Sequence, residues 1–197
     1  MDQNPVDGKS LNIGRARDLA KSGVLFLASD CLGSNKPGFV ESELPIEDKM
    51  LEIVRNAKKA VLVTAISSNI GRFQQIINVA KKVNRKVIFV GRSIQKKAEM
   101  AHNLDYLKYS SDQVISYKDL VNLRSSQVLY IVSGCFGQVG SSVYRISQGD
   151  HDKVKVNEGD TFIFSADPAP AYSKESEDFV IDGLIDKGVD VHYYDLK

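Results

Sequence analysis

The sequence predicts a three-layer α/β domain in which helices cover both faces of a mostly parallel sheet. From residue 24 onward, short apolar runs rich in β-branched residues alternate with longer amphipathic runs. The short runs are continuously apolar, as is typical of strands that are covered on both faces. Strand–helix–strand repetition implies parallel strands joined by right-handed crossovers, which gives the αβα arrangement of a Rossmann-like fold.

The short apolar runs locate the strands, and the amphipathic runs between them locate the helices. The predicted strands are Val24–Ala28, Ala60–Ala65, Lys86–Val90, Val128–Val132, Asp160–Ser165 and Val189–Tyr194, and a short extra strand is predicted in Ser110–Ser116. The predicted helices are Ile46–Lys58, Ile70–Val83, Ile94–Leu104, Lys118–Leu123, Ser141–Ser147 and Ser173–Lys187. In the second helix the apolar side chains form one stripe, whereas Arg72, Lys81 and Lys82 lie toward the other side.

Composition limits the class of protein. The chain has 197 residues, of which 43% are hydrophobic and 26% charged, as expected for one globular domain. No apolar run approaches the roughly 18–20 residues that span a bilayer, and no apolar signal segment follows Met1. Two cysteines cannot form a disulfide framework, so a cytoplasmic location is expected. The net charge of +1 requires any nucleic acid to meet a local basic patch.

The spacing of possible metal ligands argues against a metal site within this chain. His102, His151 and His192 are far apart in the sequence, and there is no HxH, HExxH or CxxC pair. A self-contained zinc site needs three or four ligands, usually with at least one close pair. The chain alone is therefore expected to hold no cofactor.

In an open parallel sheet, ligands bind outside the carboxyl ends of the strands. We call the loops that follow these ends the rim. The rim segments are Ser29–Cys31, Ser67–Asn69 with Arg72, Gly91–Ser93, Ser133–Gly137 and Ser165–Pro168. Small residues and helix N-termini suit a phosphate, and Arg72 and Arg92 can add charge-assisted contacts. Ser, Asn and Gly also serve as ordinary caps and turns, so both interpretations stay open.

Asp30 is the most notable single residue because it directly follows a predicted strand. A carboxylate there suits a general base, a metal ligand or a group that orients a histidine, and it also suits a simple turn or helix cap. Cys31 and Cys135 lie on the same rim, but the loop that contains Cys135 has no histidine to act as a base, so a thiol nucleophile is not expected. Dinucleotide and P-loop motifs are absent, although a free-standing nucleotide- or small-molecule-binding domain remains a third possibility.

Taken together and in their order, the loop motifs resemble those of the β-CASP domain of the RNase J ribonucleases, which belong to the metallo-β-lactamase superfamily. Gly23–Asp30 is similar to the strand that ends in the family's acidic motif A. The remaining matches, in chain order, are Pro37-Gly38-Phe39, Ser42-Glu43, Ser67–Arg72 with Gln74-Gln75, Gly91-Arg92-Ser93 and Gly159-Asp160-Thr161. The succession of motifs is more specific than any one of them and runs over nearly the whole chain.

The resemblance implies a function that needs more than this chain. Residues 1–22 resemble the connection from a preceding lactamase half, and residues 23–197 resemble the β-CASP domain. In the family, RNA runs between these two domains and a two-zinc site hydrolyses the phosphodiester. The zinc ligands belong to motifs outside residues 1–197, so this chain alone is expected to be inactive. The partners that the resemblance implies are RNA, the lactamase domain and further subunits of an oligomer. No membrane partner is implied.

The resemblance also assigns roles to individual residues. Asp30 takes the position of the motif A acid, which orients a distant histidine. The residues that line the phosphate path are Ser67, Ser68, Asn69, Arg72, Gly91, Arg92 and Ser93.

Several rim positions depart from the family's pattern. Cys31 replaces a usual serine, Gly71 replaces the histidine of SNIHR, and Cys135–Val139 replaces SQGEP, which removes its acid. The segment Pro168–Ser173 replaces PIPGNE. These departures support an alternative from another class, in which the parent protein is a degenerate paralogue and this domain a non-catalytic scaffold in a ribonuclease complex.

Overall fold

The computed structural model describes residues 4–29, 35, 37–38, 41–166 and 173–193. The chain separates into two compact units, Met1–Pro45 and Ile46–Lys197. In the described part of the chain, no helix is long and apolar enough to cross a membrane.

The first unit contains one helix that the sequence analysis missed. Helix α1 spans Ile13–Ala20, and the side chain of Asn12 caps it by accepting a hydrogen bond from the backbone N–H of Arg15 at 2.9 Å. The prediction of a strand at Val24–Ala28 is wrong for this structure. These residues have no regular structure, and Leu25 is 105% and Phe26 82% exposed. An apolar run favours a strand, but a strand forms only beside a pairing partner, and no described residue pairs with this segment.

The second unit carries the alternating helices and strands that the sequence predicts. Its elements are α2 (Pro45–Asn56), β1 (Val61–Thr64), α3 (Ile70–Lys82), β2 (Lys86–Val90), α4 (Arg92–Asn103), β3 (Val128–Val132), α5 (Ser142–Gln148), β4 (Thr161–Phe164), α6 (Lys174–Ile185) and β5 (Asp190–Tyr193). The helix predicted at Lys118–Leu123 is instead a 3₁₀ helix, Tyr117–Asn122, and a second short 3₁₀ helix spans Ser125–Gln127.

The five strands form one all-parallel sheet in the order β2-β3-β1-β4-β5. Central strand β1 pairs on one side with β3, where Val61 is opposite Leu129, and on the other with β4, where Val61 is opposite Thr161. The extra strand predicted in Ser110–Ser116 is reduced to one parallel bridge between Val114 and Val87 at the outer edge of β2.

Helices cover both faces of the sheet, as a parallel sheet requires. On one face, α2, α3 and α4 pack on strand residues such as Val61, Val63 and Ile163. On the other face, α5, α6 and the 3₁₀ helix Tyr117–Asn122 pack on Leu62 and Phe162. The three-layer αβα prediction is therefore confirmed.

A buried arginine joins several segments at the amino ends of the strands. Arg85 is 5% exposed and precedes β2. Its Nη1 donates to the carbonyl oxygens of Lys59 (2.7 Å) and Val128 (3.3 Å), and its Nη2 donates to that of Ala57 (2.6 Å). Burial lowers the pKa of the guanidinium from its usual value. The three carbonyls replace the water that this cation loses.

The Gly159-Asp160-Thr161 motif also lies at this amino end, opposite the rim. The buried Asp160 carboxylate accepts hydrogen bonds from the backbone N–H groups of Ala60 (3.0 Å, Oδ1) and Asn157 (2.8 Å, Oδ2). It thereby fixes the start of β1 beside the turn that enters β4. This part of the family pattern has a structural role in the described chain.

The hydrogen bonds of His151 make the structure of the loop before β4 dependent on pH. The ring is 8% exposed, and its Nδ1 accepts hydrogen bonds from the backbone N–H groups of Val154 (3.1 Å) and Lys153 (3.3 Å). A protonated Nδ1 cannot accept these bonds. Burial, and next the positive charge of Arg145, lower the pKa of His151.

We expect His151 to make the domain less stable in mild acid. Its folded-state pKa lies below the unfolded value of about 6.5, so the unfolded state binds more protons below that pH. The contribution is fully present above pH 6.5 and is lost as the pH falls through the folded pKa. The measurement is the unfolding free energy between pH 7 and 5 for wild type and His151→Asn. His192→Asn, at a partly exposed histidine of β5, is the control. The amide oxygen introduced by His151→Asn can accept the same bonds without titrating, so the curve of this variant should be flatter. Parallel curves for wild type and His151→Asn would contradict this role.

Candidate functional site

The rim occupies one edge of the sheet because all five strands run in the same direction. The loops described there are residues 65–69 after β1, 91 after β2, 133–141 after β3 and 165–166 after β4. Asp30 and Cys31, and likewise residues 167–172, lie outside the described residues. The assignments made to Asp30 and Cys31 therefore stay predictions.

The loop after β1 contains one exposed serine next to two polar residues whose side chains form hydrogen bonds. Ser68 is exposed, whereas the Ser67 hydroxyl accepts a hydrogen bond from Lys97 Nζ at 2.8 Å. Asn69 caps α3, because its Oδ1 accepts from the backbone N–H of Arg72 at 2.9 Å. Of these three predicted phosphate residues, Ser68 is the most accessible.

Arg72 does not lie on the polar side of α3 as the sequence predicts. It is 5% exposed, and its Nη1 donates to both the carbonyl oxygen (3.1 Å) and the hydroxyl (2.5 Å) of Ser165. The position in the first turn of α3 lets the long side chain reach across to the end of β4, 93 residues later in the chain. In this structure Arg72 joins two rim loops, and direct contact with a phosphate stays a prediction.

The loop after β2 combines a sterically required glycine with two exposed polar residues. Gly91 has φ +117°, and a Cβ at this position would overlap Ser133 Oγ and lie 2.9 Å from Ser142 Oγ. Glycine is therefore needed here for backbone and packing reasons, whether or not a phosphate approaches. Arg92 and Ser93 follow in the first turn of α4, and both are exposed.

The loop after β3 is held closely by the elements on either side of it. Ser133 Oγ donates to Ser142 Oγ at 3.1 Å, and Ser141 caps α5. Gly137 has φ +67°, and a Cβ there would overlap the backbone of Ser176 in α6. The serines and glycines of this loop therefore shape the rim by packing and capping.

Cys135 is a buried residue of this loop. Burial raises the pKa of its thiol to about 11, so the thiol is protonated at neutral pH. Because the thiolate is the nucleophilic form, Cys135 is unsuited to covalent catalysis, in agreement with the missing base in the sequence.

The histidines of the described chain do not come together as the ligands of a metal site would. His102 Nδ1 lies 2.9 Å from the carbonyl oxygen of Leu107, His151 is enclosed in its loop, and His192 lies 3.2 Å from Asp190 on edge strand β5. Within the ranges that the structure describes, no three His, Cys, Asp or Glu side chains form a group that could hold a metal ion.

Sequence reasoning missed Lys97. Its hydrogen bond to Ser67 connects α4 with the loop after β1, although the two residues are 30 positions apart. The sequence offered one indication of this role, the Lys96-Lys97 pair, which begins less than one helical turn after Gly91-Arg92-Ser93.

The fold and rim define a three-layer α/β domain with polar loops at one edge of its parallel sheet, and comparison with known proteins identifies its family. Residues 58–184 match the family model described as "Ribonuclease J, beta-CASP domain". The chain therefore belongs to the RNase J β-CASP family, a family of ribonucleases. The resemblance seen in the sequence is confirmed.

Curated relatives match almost the whole chain. Ribonuclease J of Thermus thermophilus is 33% identical over 193 residues, which cover 98% of this chain and 33% of the relative. Ribonuclease J of Synechocystis is 31% identical, covering 98% of this chain and 30% of the relative. Ribonuclease J2 of Bacillus subtilis is 29% identical over 177 residues, covering 88% and 32%. The chain thus spans about a third of the length of these relatives.

Proposed function

We propose that this chain is the RNA-clamping domain of a zinc-dependent, RNase J-type ribonuclease. The relatives are named ribonucleases, and this chain corresponds to about a third of each. In the proposal, residues 1–22 connect to a lactamase half and residues 23–197 form the clamp. The two zinc ions and the hydrolytic step belong to the part of the protein outside this chain.

The observation that carries the proposal is a set of exposed polar side chains on one edge of the sheet. Ser68, Arg92 and Ser93 are all accessible there, and Lys97 adds a positive charge next to Ser67. Hydroxyl groups and cations are the side chains that contact phosphate oxygens without regard to base sequence. The rim therefore suits a nucleic-acid backbone that must slide or be held in many registers.

Rim residues that contact neighbouring loops support this function indirectly. The Arg72–Ser165 hydrogen bonds fix the loop after β1 to the end of β4. The contact of Gly91 with Ser133 fixes the loop after β2 to that after β3. Loops that are already rigid lose little conformational entropy of their own when they bind a flexible RNA strand. Ser67, Asn69, Arg72 and Gly91 would then position the accessible residues around them.

The alternative is a non-catalytic scaffold domain in a ribonuclease complex. It is favoured by Cys135–Val139, where the family's SQGEP would supply an acid and this chain has none. The two functions differ in one observable: a ribonuclease cleaves RNA in the full-length protein, whereas a scaffold only binds its partners.

We expect Asp30→Asn to lower RNA cleavage by the full-length protein about 10–100-fold, because a carboxylate that orients a histidine typically has an effect of this size. The same substitution should leave the melting temperature of the 197-residue chain nearly unchanged, since Asn is itself a good helix cap. The measurements are the cleavage rate of a 5′-labelled single-stranded RNA, the zinc bound by the full-length protein, and thermal unfolding of the chain.

Three outcomes separate the possibilities. An unchanged cleavage rate and zinc content in the variant would show that Asp30 is not the motif A acid. A wild-type protein that binds RNA but never cleaves it would support the scaffold. A chain that unfolds on Asp30→Asn would make Asp30 a structural residue.

A further inference from the structure

Three cations lie within the first one and a half turns of α4. Arg92 begins the helix, and Lys96 and Lys97 follow one turn later. All three are exposed. Among the described residues, none of the three forms an ion pair with a carboxylate. Their charges are therefore available to a ligand in solution.

This placement opposes the local electrostatics of a helix. The N-terminus of a helix carries partial positive charge and favours acidic side chains, and like charges four residues apart, as in Arg92 and Lys96, destabilise a helix. Helices α2 and α6 follow the usual preference with acids in their first turns, whereas α1, α3, α4 and α5 have none there. Helix α4 differs from the others in that its first six residues carry three cations and no acid. Such a departure from the local rule is expected at a functional surface.

The structure also places these cations beside the rim loop after β1. Lys97 Nζ donates a hydrogen bond to Ser67 Oγ at 2.8 Å. The adjacent Ser68 is exposed. The ammonium group is thus held between α4 and the loop that carries the predicted phosphate residues, and Lys96 lies next to it on α4.

We propose that Lys96 and Lys97 form, with Arg92, a phosphate-binding surface that carries the RNA backbone from the rim along the N-terminal half of α4. This inference rests on the proposed function. Lys97 contacts a phosphate close to Ser67 and Ser68, and Lys96 contacts a neighbouring phosphate farther from the sheet. The contacts are to the backbone only, so they add affinity for single-stranded RNA of any sequence.

The test removes these two charges and compares the result with an equal charge change elsewhere. The variant is Lys96→Gln/Lys97→Gln in the full-length protein. The control is Lys81→Gln/Lys118→Gln, in which both lysines are exposed. Lys81 lies in the last turn of α3, and Lys118 lies in the 3₁₀ helix that precedes β3. Both control positions are therefore near the amino ends of the strands, away from the rim.

Binding of a labelled single-stranded RNA is measured with a chelator present to prevent cleavage, over a series of salt concentrations. We expect Lys96→Gln/Lys97→Gln to weaken binding about three- to tenfold near 0.1 M salt and to reduce the log–log salt slope by roughly 1.4, or about 0.7 for each phosphate that is no longer neutralised. The control should stay within about twofold with an unchanged slope. Lys97→Arg keeps the charge and should retain the wild-type slope.

Two results would overturn the inference, and they are distinguishable. If wild type binds and cleaves RNA while Lys96→Gln/Lys97→Gln shows wild-type affinity and slope, the phosphate surface is elsewhere and the proposed function stands. If wild type shows no salt-dependent RNA binding at all, the proposed function fails and this inference fails with it. Circular dichroism of the variants confirms that each is folded.

Discussion

Replacing Arg85 with methionine should lower the free energy of unfolding by about 3 kcal/mol. Three hydrogen bonds from a charged donor, each contributing roughly 1.5–3 kcal/mol, are lost, and removing the cost of burying the cation offsets part of that loss. The guanidinium donates to the carbonyl oxygens of Lys59, Ala57 and Val128. Methionine fills much of the same volume but donates nothing, so these carbonyls lose their partner. For a domain of this size the melting temperature should fall by roughly 6–12 °C.

Two comparisons isolate the cause of that loss. Arg55→Met removes the same charge from an exposed position in the last turn of α2 and should change stability by no more than about 0.5 kcal/mol. Arg85→Lys keeps the charge but cannot serve three carbonyls from one planar group, so its stability should lie between wild type and Arg85→Met. Chemical denaturation gives all three values, and equal losses for Arg55→Met and Arg85→Met would refute the role of the buried hydrogen bonds.

The strands of the sheet could be predicted from the sequence because burial on both faces leaves a local signature. Lys86–Val90 and Val128–Val132 are continuous apolar runs, and the structure forms β2 and β3 over the same residues. Val24–Ala28 has the same signature and forms no strand. Pairing depends on a neighbour, which local sequence does not specify, so the same pattern gave a correct prediction inside the sheet and an incorrect one outside it.

The position of the rim could also be predicted, but the burial and side-chain contacts of its residues could not. Parallel strands bring their carboxyl ends to one edge, so the loops at Ser67–Asn69 and Gly91–Ser93 were located correctly. The burial of Arg72 depends on Ser165, and the tight packing around Gly91 depends on Ser133. Such partners are distant in sequence, and their identity becomes clear only when the chain is folded.

Gly159-Asp160-Thr161 shows a related limit of motif reasoning. It belongs to the same ordered series of family motifs as the rim loops, yet Asp160 lies at the opposite end of the sheet. Motif order is preserved both by residues that contact a ligand and by residues that fix the backbone. A motif therefore identifies a family more securely than it identifies a binding residue.

Gly91→Ala is expected to destabilise the domain by about 2–4 kcal/mol, from backbone strain and steric overlap together. The backbone of Gly91, with φ +117° and ψ 135°, is in a region that residues other than glycine rarely adopt. An alanine Cβ would overlap Ser133 Oγ and lie 2.9 Å from Ser142 Oγ. The same change should displace Arg92 and Ser93, which follow directly, and thereby weaken RNA binding by the full-length protein.

A second substitution separates the two causes. Ser133→Gly removes the side chain that the new methyl group would overlap, so Gly91→Ala/Ser133→Gly should be less destabilised than the sum of the single variants by about 0.5–3 kcal/mol. Gly140→Ala is the control for strain alone, because φ is +78° there and no atom lies within 4 Å of the added Cβ. Its cost should be about 1–2 kcal/mol. Strictly additive single and double variants would mean that the overlap is relieved by a small backbone shift. In that case the need for glycine at position 91 comes from its backbone conformation alone.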